Sequence, residues 1–348
     1  MAHDPNPLKH LLPGWYAVVM GLSGLSLAWG RAVPLMGEAA AGAASALGAL
    51  ASLVFAVLIG ATLMRARRHP QAWAEDRRHP VRHTFIAALP ISIILLATVA
   101  LVQGLPREPT RWLWWTGSLM QLFVTLWVVA RWWNGPKDGG LQWASATPAL
   151  FIPIVGNVLV PLAGVPLGHT EWAAAQFGIG LMFWPVVLVL IVTRLAIQGP
   201  WPERLMPTAF IVVAPPAVVG LSLDQLGAPL LVIWALWGMA LFALLWVLVL
   251  VPRIVKLPFG LAHWGASFPL AAFAALTLRL AEPGNRLALL GPALLVLVTL
   301  VILALLLATL SGLRDGSLLA PEPVAAIMLV PSTVPLSPSS ALESGESP

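Results

Sequence analysis

The chain has 348 residues, of which 59% are hydrophobic and 9% charged, with a formal net charge of +5. A soluble chain carries roughly 25% charged residues, so a soluble globular fold is excluded, and continuous apolar runs exclude the short alternating strands of a membrane barrel. Cysteine is absent, which removes disulfides, thiolate catalysis and Cys-ligated metals.

The expected fold class is an all-α, multi-pass membrane protein. The opening residues MAHDPNPLKH lack a basic n-region and a small-residue cleavage site, so no cleaved signal peptide is expected. Residues 1–11 are read as a short cytoplasmic N-terminus. Ten apolar spans follow, over about 12–30, 40–64, 84–103, 111–132, 148–165, 172–196, 207–223, 229–251, 260–280 and 287–311, each near the length that crosses a hydrocarbon core. Short loops make most neighbours antiparallel. Residues 12–312 form the membrane domain, and the Pro- and Ser-rich stretch 313–348 is expected to be a disordered cytoplasmic tail.

Lys and Arg divide 14 to 5 between the two sides of this topology, with Lys9, Arg65, Arg82, Arg131 and Arg253 on the richer side. The richer side is assigned to the cytoplasm, which puts both termini inside.

Prolines set the expected architecture. Pro90, Pro153, the Pro215–Pro216 pair and Pro269 fall inside the third, fifth, seventh and ninth spans, roughly 60 residues apart, close to one helical hairpin each. The even spans are read as carrying only Pro185. Proline removes a backbone hydrogen bond and kinks a helix, so five hairpins with kinked odd helices inside are expected. The first span has Gly21 and Gly24 where the others have proline.

The ninth span, GLAHWGASFPLAAFAALT (Gly260–Thr277), carries no Lys, Arg, Asp or Glu. Phe268 sits in its middle beside Pro269, with Gly265, Ala271, Ala272 and Ala275 at offsets of three, four and seven residues on one face. A bulky ring on a small-residue stripe outlines a constricted, kinked pore helix; a close-packing face between helices would use the same stripe.

Acidic residues fall in loops, in the tail or at span edges, so the interior is neutral and lacks the buried carboxylates of ion-coupled pumps. Ser23, Ser26, Thr84, Ser92, Asn157 and Thr208 are the polar candidates for a wet path. His69, His79 and His83 are read as water-facing in the basic loop, and His263 as interfacial. No HExxH, GxGxxG or P-loop is present, and no catalytic residues, metal, cofactor or nucleic-acid partner are expected. Tryptophans at both ends of the fourth span fit interfacial belts.

HPVRHTFIAALPISIIL (His79–Leu95) and HWGASFPLAAFAALT (His263–Thr277) resemble the third and ninth helices of the TehA tellurite-resistance family, relatives of the plant slow anion channels. WYAVVMGLSGLSLAW (Trp15–Trp29) and TPALFIPIVGNVL (Thr147–Leu159) resemble its first and fifth. The resemblance covers roughly residues 10–312. It implies ten helices as five hairpins around a pseudo-fivefold pore lined by the odd helices, in a homotrimer, with Phe268 as the gate. The long N-terminal domain of the plant members and a counterpart of the Pro215–Pro216 pair are missing from the match.

The expected function is a passive, Phe268-gated anion channel of the inner membrane. Its partners are small inorganic or organic anions and the bilayer. Pro90, Pro153, Pro215, Gly265, Pro269 and Ala272 are its expected kink and lining positions, with Arg82 and His263 at the cytoplasmic mouth. The alternative is a proton-coupled carrier for C4-dicarboxylates such as malate, or for tellurite, which needs a titratable group in the path; His263 is the one remote candidate.

Overall fold

In the computed structural model, which describes residues 7–135, 140–282 and 284–320, the described residues hold helices and turns with no strand. Nine of their helices are long and apolar enough to cross a membrane. In chain order they are α1 (Pro13–Met36), α2 (Glu38–Arg68), α3 (Arg82–Val102) and α4 (Arg107–Trp133). After the shorter apolar α5 (Pro148–Gly164) come α6 (Thr170–Gln198), α7 (Glu203–Gln225), α8 (Leu230–Leu248), α9 (Leu261–Leu280) and α10 (Leu287–Arg314).

Burial alternates along the chain. In the most apolar stretch of α7, 94% of residues are buried, against 17% in α2. Helices α1, α3 and α9 are also mostly buried, and every residue from Pro148 to Val160 of α5 is buried. The even helices turn long apolar side chains outward, among them Leu53, Phe123, Val189, Phe242 and Leu300. On the inside, α1 packs against α3 and α9, α9 against α7, and α5 against both α3 and α7.

The prolines stand where the backbone pairing changes rather than inside one continuous α-helix. Four odd helices are composite, a tight 3-10 stretch leading into an α segment, and proline stands at the junction. Pro90 is third in Ala88–Val102, Pro153 third in Phe151–Val155, Pro216 third in Ala214–Gln225 and Pro269 third in Ser267–Leu280. An α-helix leaves its first four N–H groups without α partners, so a residue lacking N–H is tolerated there rather than costing about 3 kcal/mol as it does mid-helix. Upstream, 3-10 pairing one residue closer keeps the backbone bonded. In α7 that stretch extends over Glu203–Val213.

Two further corrections concern proline and glycine. Pro292 lies inside α10 as Pro185 lies inside α6, so Pro185 is not alone among the even helices. After a 3-10 turn at Pro13–Trp15, the first helix is one α segment over Tyr16–Met36 that includes Gly21, Gly24 and Pro34, so its glycines make no break.

Broken into short segments, α5 depends on side chains from its neighbours. The Pro153 carbonyl accepts from Gln121 Nε2 at 2.7 Å and from Thr125 Oγ1 at 2.5 Å, both on α4. Asn157 Nδ2 donates to Thr125 Oγ1 and to the Ile154 carbonyl, while its Oδ1 accepts from Gln176 Nε2 of α6 at 3.0 Å. Gln176 also bonds both the hydroxyl and the carbonyl of Ser118.

Near the termini, the Pro7–His10 turn packs against the turn at Ser317–Leu319, which puts both ends of the described chain on one side. Of the stretch expected as a tail, residues 313–314 still belong to α10, and 321–348 lie outside the described residues. Replacing Gln176 with Leu strands Asn157 and Ser118 inside the protein. A loss of about 1–2 kcal/mol is expected, read as a lower unfolding temperature of the purified protein in detergent.

Candidate functional site

The inner helices enclose a cavity of about 50 Å³, room for a few water-sized particles, and all five contribute to its wall. Ala17 and Met20 come from α1, Phe85, Ala88 and Ile91 from α3, and Ile211 and Ala214 from α7. Helix α5 adds five residues including Phe151 and Gly156, and α9 adds Trp264, Gly265, Phe268 and Pro269. Every lining residue is apolar.

Phe268 is 8% exposed, and its ring rests on α1. A methyl group built on Gly24 would stand 3.0 Å from the ring and 3.2 Å from Ala271. One turn earlier, a methyl on Gly21 would stand 2.6 Å from Ser267 Cβ. These glycines are the seat that lets α9 lie against α1 at the level of the ring. Gly265 does the same toward α7, where a methyl would meet the Thr208 backbone at 3.2 Å.

Of the positions singled out in the sequence, Phe268, Gly265 and Pro269 meet at the cavity. Pro90, Pro153, Pro215 and Ala272 are buried beside it, with Ile91, Ile152 and Ala214 taking the wall next to the three prolines. Gly21 and Gly24 pack on α9 and are not part of the wall. The polar candidates do not line it either. Ser26, Thr84, Ser92 and Thr208 bond to backbone carbonyls, Asn157 belongs to the α5 clamp, and Ser23 is fully buried.

Three rings in the wall escaped the sequence reading: Phe85, Phe151 and Trp264. Trp264 is 1% exposed and donates from Nε1 to Thr309 Oγ1 at 2.9 Å. The available signal was position, since Phe85, Phe151 and Phe268 each lie within five residues before the proline of their helix.

The segment between α2 and α3 differs most from expectation. It folds as a short helix, Pro70–Arg78, that carries Asp76 inward. Asp76 is 1% exposed on its side chain, 2.7 Å from Arg65 of α2 and 3.6 Å from Arg82 at the start of α3. Burial raises the Asp76 carboxyl above its ordinary pKa, against the opposing pull of Arg65 and then Arg82. Arg65 also donates from Nε to the Lys9 carbonyl, which ties the N-terminal turn to this cluster. His83, expected in water, is buried with Nδ1 2.8 Å from the His79 carbonyl and its ring edge-on to Trp127. His263 is partly buried, and its Nδ1 bonds the Gly260 backbone of its own turn. Among the described residues no three His, Cys, Asp or Glu side chains group as metal ligands.

Comparison with known proteins bears on this arrangement. A family model described as SLAC1, voltage-dependent anion channel, matches residues 10–310. The chain is 28% identical over 274 residues to a tellurite resistance protein TehA homolog of Haemophilus influenzae, covering 78% of this chain and 80% of that protein. It is 28% identical over 218 residues to the S-type anion channel SLAH2 of Arabidopsis thaliana, covering 61% of this chain and 40% of the plant protein. An uncharacterised transporter of Methanocaldococcus jannaschii matches at 23% identity over 296 residues, 77% of this chain and 83% of the other.

Two packing predictions follow from the contacts. Gly21→Ala lowers the unfolding temperature by several degrees and Ser267→Gly restores part of the loss, because the clash is between those two positions. Asp76→Ala leaves the buried Arg65 guanidinium unpaired. It is expected to cost about 3–5 kcal/mol and to expose Pro70–Arg78 to limited proteolysis.

Proposed function

The chain belongs to the SLAC1 family of voltage-dependent anion channels, and on that premise we propose that it is a passive anion channel gated by Phe268. The observation that carries the reading is the cavity wall: all five inner helices supply it, and Phe268 projects into it against α1.

The inner helices touch one another in chain order, α1–α3–α5–α7–α9, and α9 returns to α1. That circuit supports five hairpins arranged pseudo-fivefold around a central path, with the even helices as an outer ring facing lipid. By the positive-inside rule the Arg65–Asp76–Arg82 side faces the cytoplasm, with both termini there. The family resemblance carries two further parts of this reading, an inner-membrane location and a homotrimer with one path per subunit.

Conduction through such a path depends on water. An apolar constriction closed by a ring dewets, and an ion entering it loses its hydration shell without compensation. Moving the ring lets water back and lowers the barrier. With no fixed charge at the constriction, weakly hydrated monovalent anions pass most readily.

The relatives named for tellurite resistance and for transport favour a second reading, a carrier; its proposed cargo is tellurite or, as the family resemblance implies, a C4-dicarboxylate such as malate. The two separate in proteoliposomes. Phe268→Ala is expected to give large, pH-independent chloride currents while the unaltered protein stays nearly silent. Saturable malate uptake driven by a proton gradient, equal in both proteins, makes the protein a carrier and Phe268 a packing residue.

A further inference from the structure

The Phe268 cavity contains no group that could hold an anion, since every side chain in its wall is apolar. Charge collects instead at the far ends of three inner helices. Arg31 lies on α1, Asp224 near the end of α7, and Arg279 in the last turn of α9. Eleven residues separate Phe268 from Arg279 on α9, and eleven separate Met20 from Arg31 on α1. Both helices therefore set these charges about 16 Å beyond the cavity at 1.5 Å per residue.

The pairing among the three is incomplete. Arg279 meets Asp224 Oδ2 through Nε alone, at 2.7 Å, with the aspartate side chain 12% exposed. The terminal NH₂ groups of Arg279 make no hydrogen bond among the described residues. Arg31 is half-buried and makes neither hydrogen bond nor ion pair among them; α1 packs along α9, and Arg31 lies within electrostatic range of Asp224 and Arg279. Two guanidiniums and one carboxylate leave one positive charge uncompensated. Of the other arginines on that side of the expected topology, Arg107 donates to the Pro166 carbonyl and Arg111 pairs with Glu108 at 2.8 Å. A half-buried guanidinium presents donors that need acceptors, and its planar fork suits small anions.

We infer that Arg31 and the terminal NH₂ groups of Arg279 hold a small inorganic anion, of the chloride or nitrate class, at this end of the path, with Asp224 fixing the orientation of Arg279. The inference rests on the anion-pathway reading above and adds a loading site remote from the gate. A phospholipid headgroup phosphate offers the same donors the same chemistry, so the test separates the two sources.

Full-length protein in detergent is titrated with sodium nitrate, and its unfolding temperature is compared with those of Arg31→Gln and Arg31→Lys. A bound anion stabilises the fold that holds it; the shift is expected to vanish in Arg31→Gln and persist in part in Arg31→Lys. In parallel, chloride conductance is measured on a Phe268→Ala background in purely zwitterionic bilayers and in bilayers containing an anionic lipid. Arg31→Gln is expected to lower conductance several-fold at about 10 mM salt and very little at about 1 M, where the Debye length is near 3 Å. Equal thermal shifts and equal low-salt conductance in Arg31→Gln overturn the site. An effect of Arg31→Gln confined to anionic lipid also overturns it, because Arg31 then serves a headgroup. If Phe268→Ala carries no anion current at all, the pathway reading fails, and the thermal titration still decides whether Arg31 binds an anion.

Discussion

A backbone N–H or carbonyl left open in hydrocarbon costs several kcal/mol, so irregular backbone at membrane depth must be enclosed by protein. Four of the five inner helices here are irregular, changing from 3-10 to α pairing at a proline. The outer helices α2, α4, α6, α8 and α10 surround them and bear the exposed apolar side chains. Burial of the odd helices is therefore a requirement of their own backbones as much as of any path they enclose. It is most severe at α5, which changes pairing twice within Phe151–Gly164. There the α4 side chains Gln121 and Thr125 bond the Pro153 carbonyl in place of a continuous helical ladder, and Gln176 of α6 holds the side chain of Asn157.

The same interior separates charge from constriction. Asp76 joins Arg65 and Arg82 at one end of the molecule, and Asp224 joins Arg279 at the other. Between them the wall around Phe268 is wholly apolar. Charged groups at the ends of helices can reach interfacial water, whereas a charge at mid-depth would pay the full desolvation penalty. A neutral middle is thus the arrangement of lowest cost for the fold, and it suits a barrier controlled by wetting rather than by ion pairing.

Much of this was legible in the sequence because it depends on residue type and period. Apolar runs gave the helices, and prolines in alternate spans gave the inside–outside alternation. The form of the proline effect was not legible, since whether a helix kinks or changes pairing at Pro90 or Pro269 depends on neighbours that cover the freed carbonyls. Pro185 and Pro292 are counterexamples within the chain: they sit inside the outer helices α6 and α10 and mark no inner helix. The ionic cluster was hidden for another reason. Arg65, Asp76 and Arg82 lie in a stretch rich in Arg and His that reads as a solvated loop, and only the fold of Pro70–Arg78 turns one of its two adjacent acids inward. Gly21 and Gly24 stood out correctly as unusual, but their use is close approach. Glycine in a helix can serve either end, and the partner Ser267–Phe268 is more than 240 residues away.

That close approach gives α1 a particular part in the proposed gate. It is the inner helix whose α segment carries no proline at its start, so its ladder runs unbroken past the level of Phe268. On the opposite side, the ring is carried by a helix whose pairing changes at Ser267, directly before it. A junction between two pairing schemes is a place where backbone torsion can alter at small cost, because 3-10 and α dihedrals differ by only about 10–20°. In the proposed gate the regular helix with missing side chains is the fixed seat, and the composite helix is the arm that moves. Phe268 lies where the two meet, so a shift at the junction would move the ring off Gly24 without disturbing the outer helices that keep the broken backbones out of lipid.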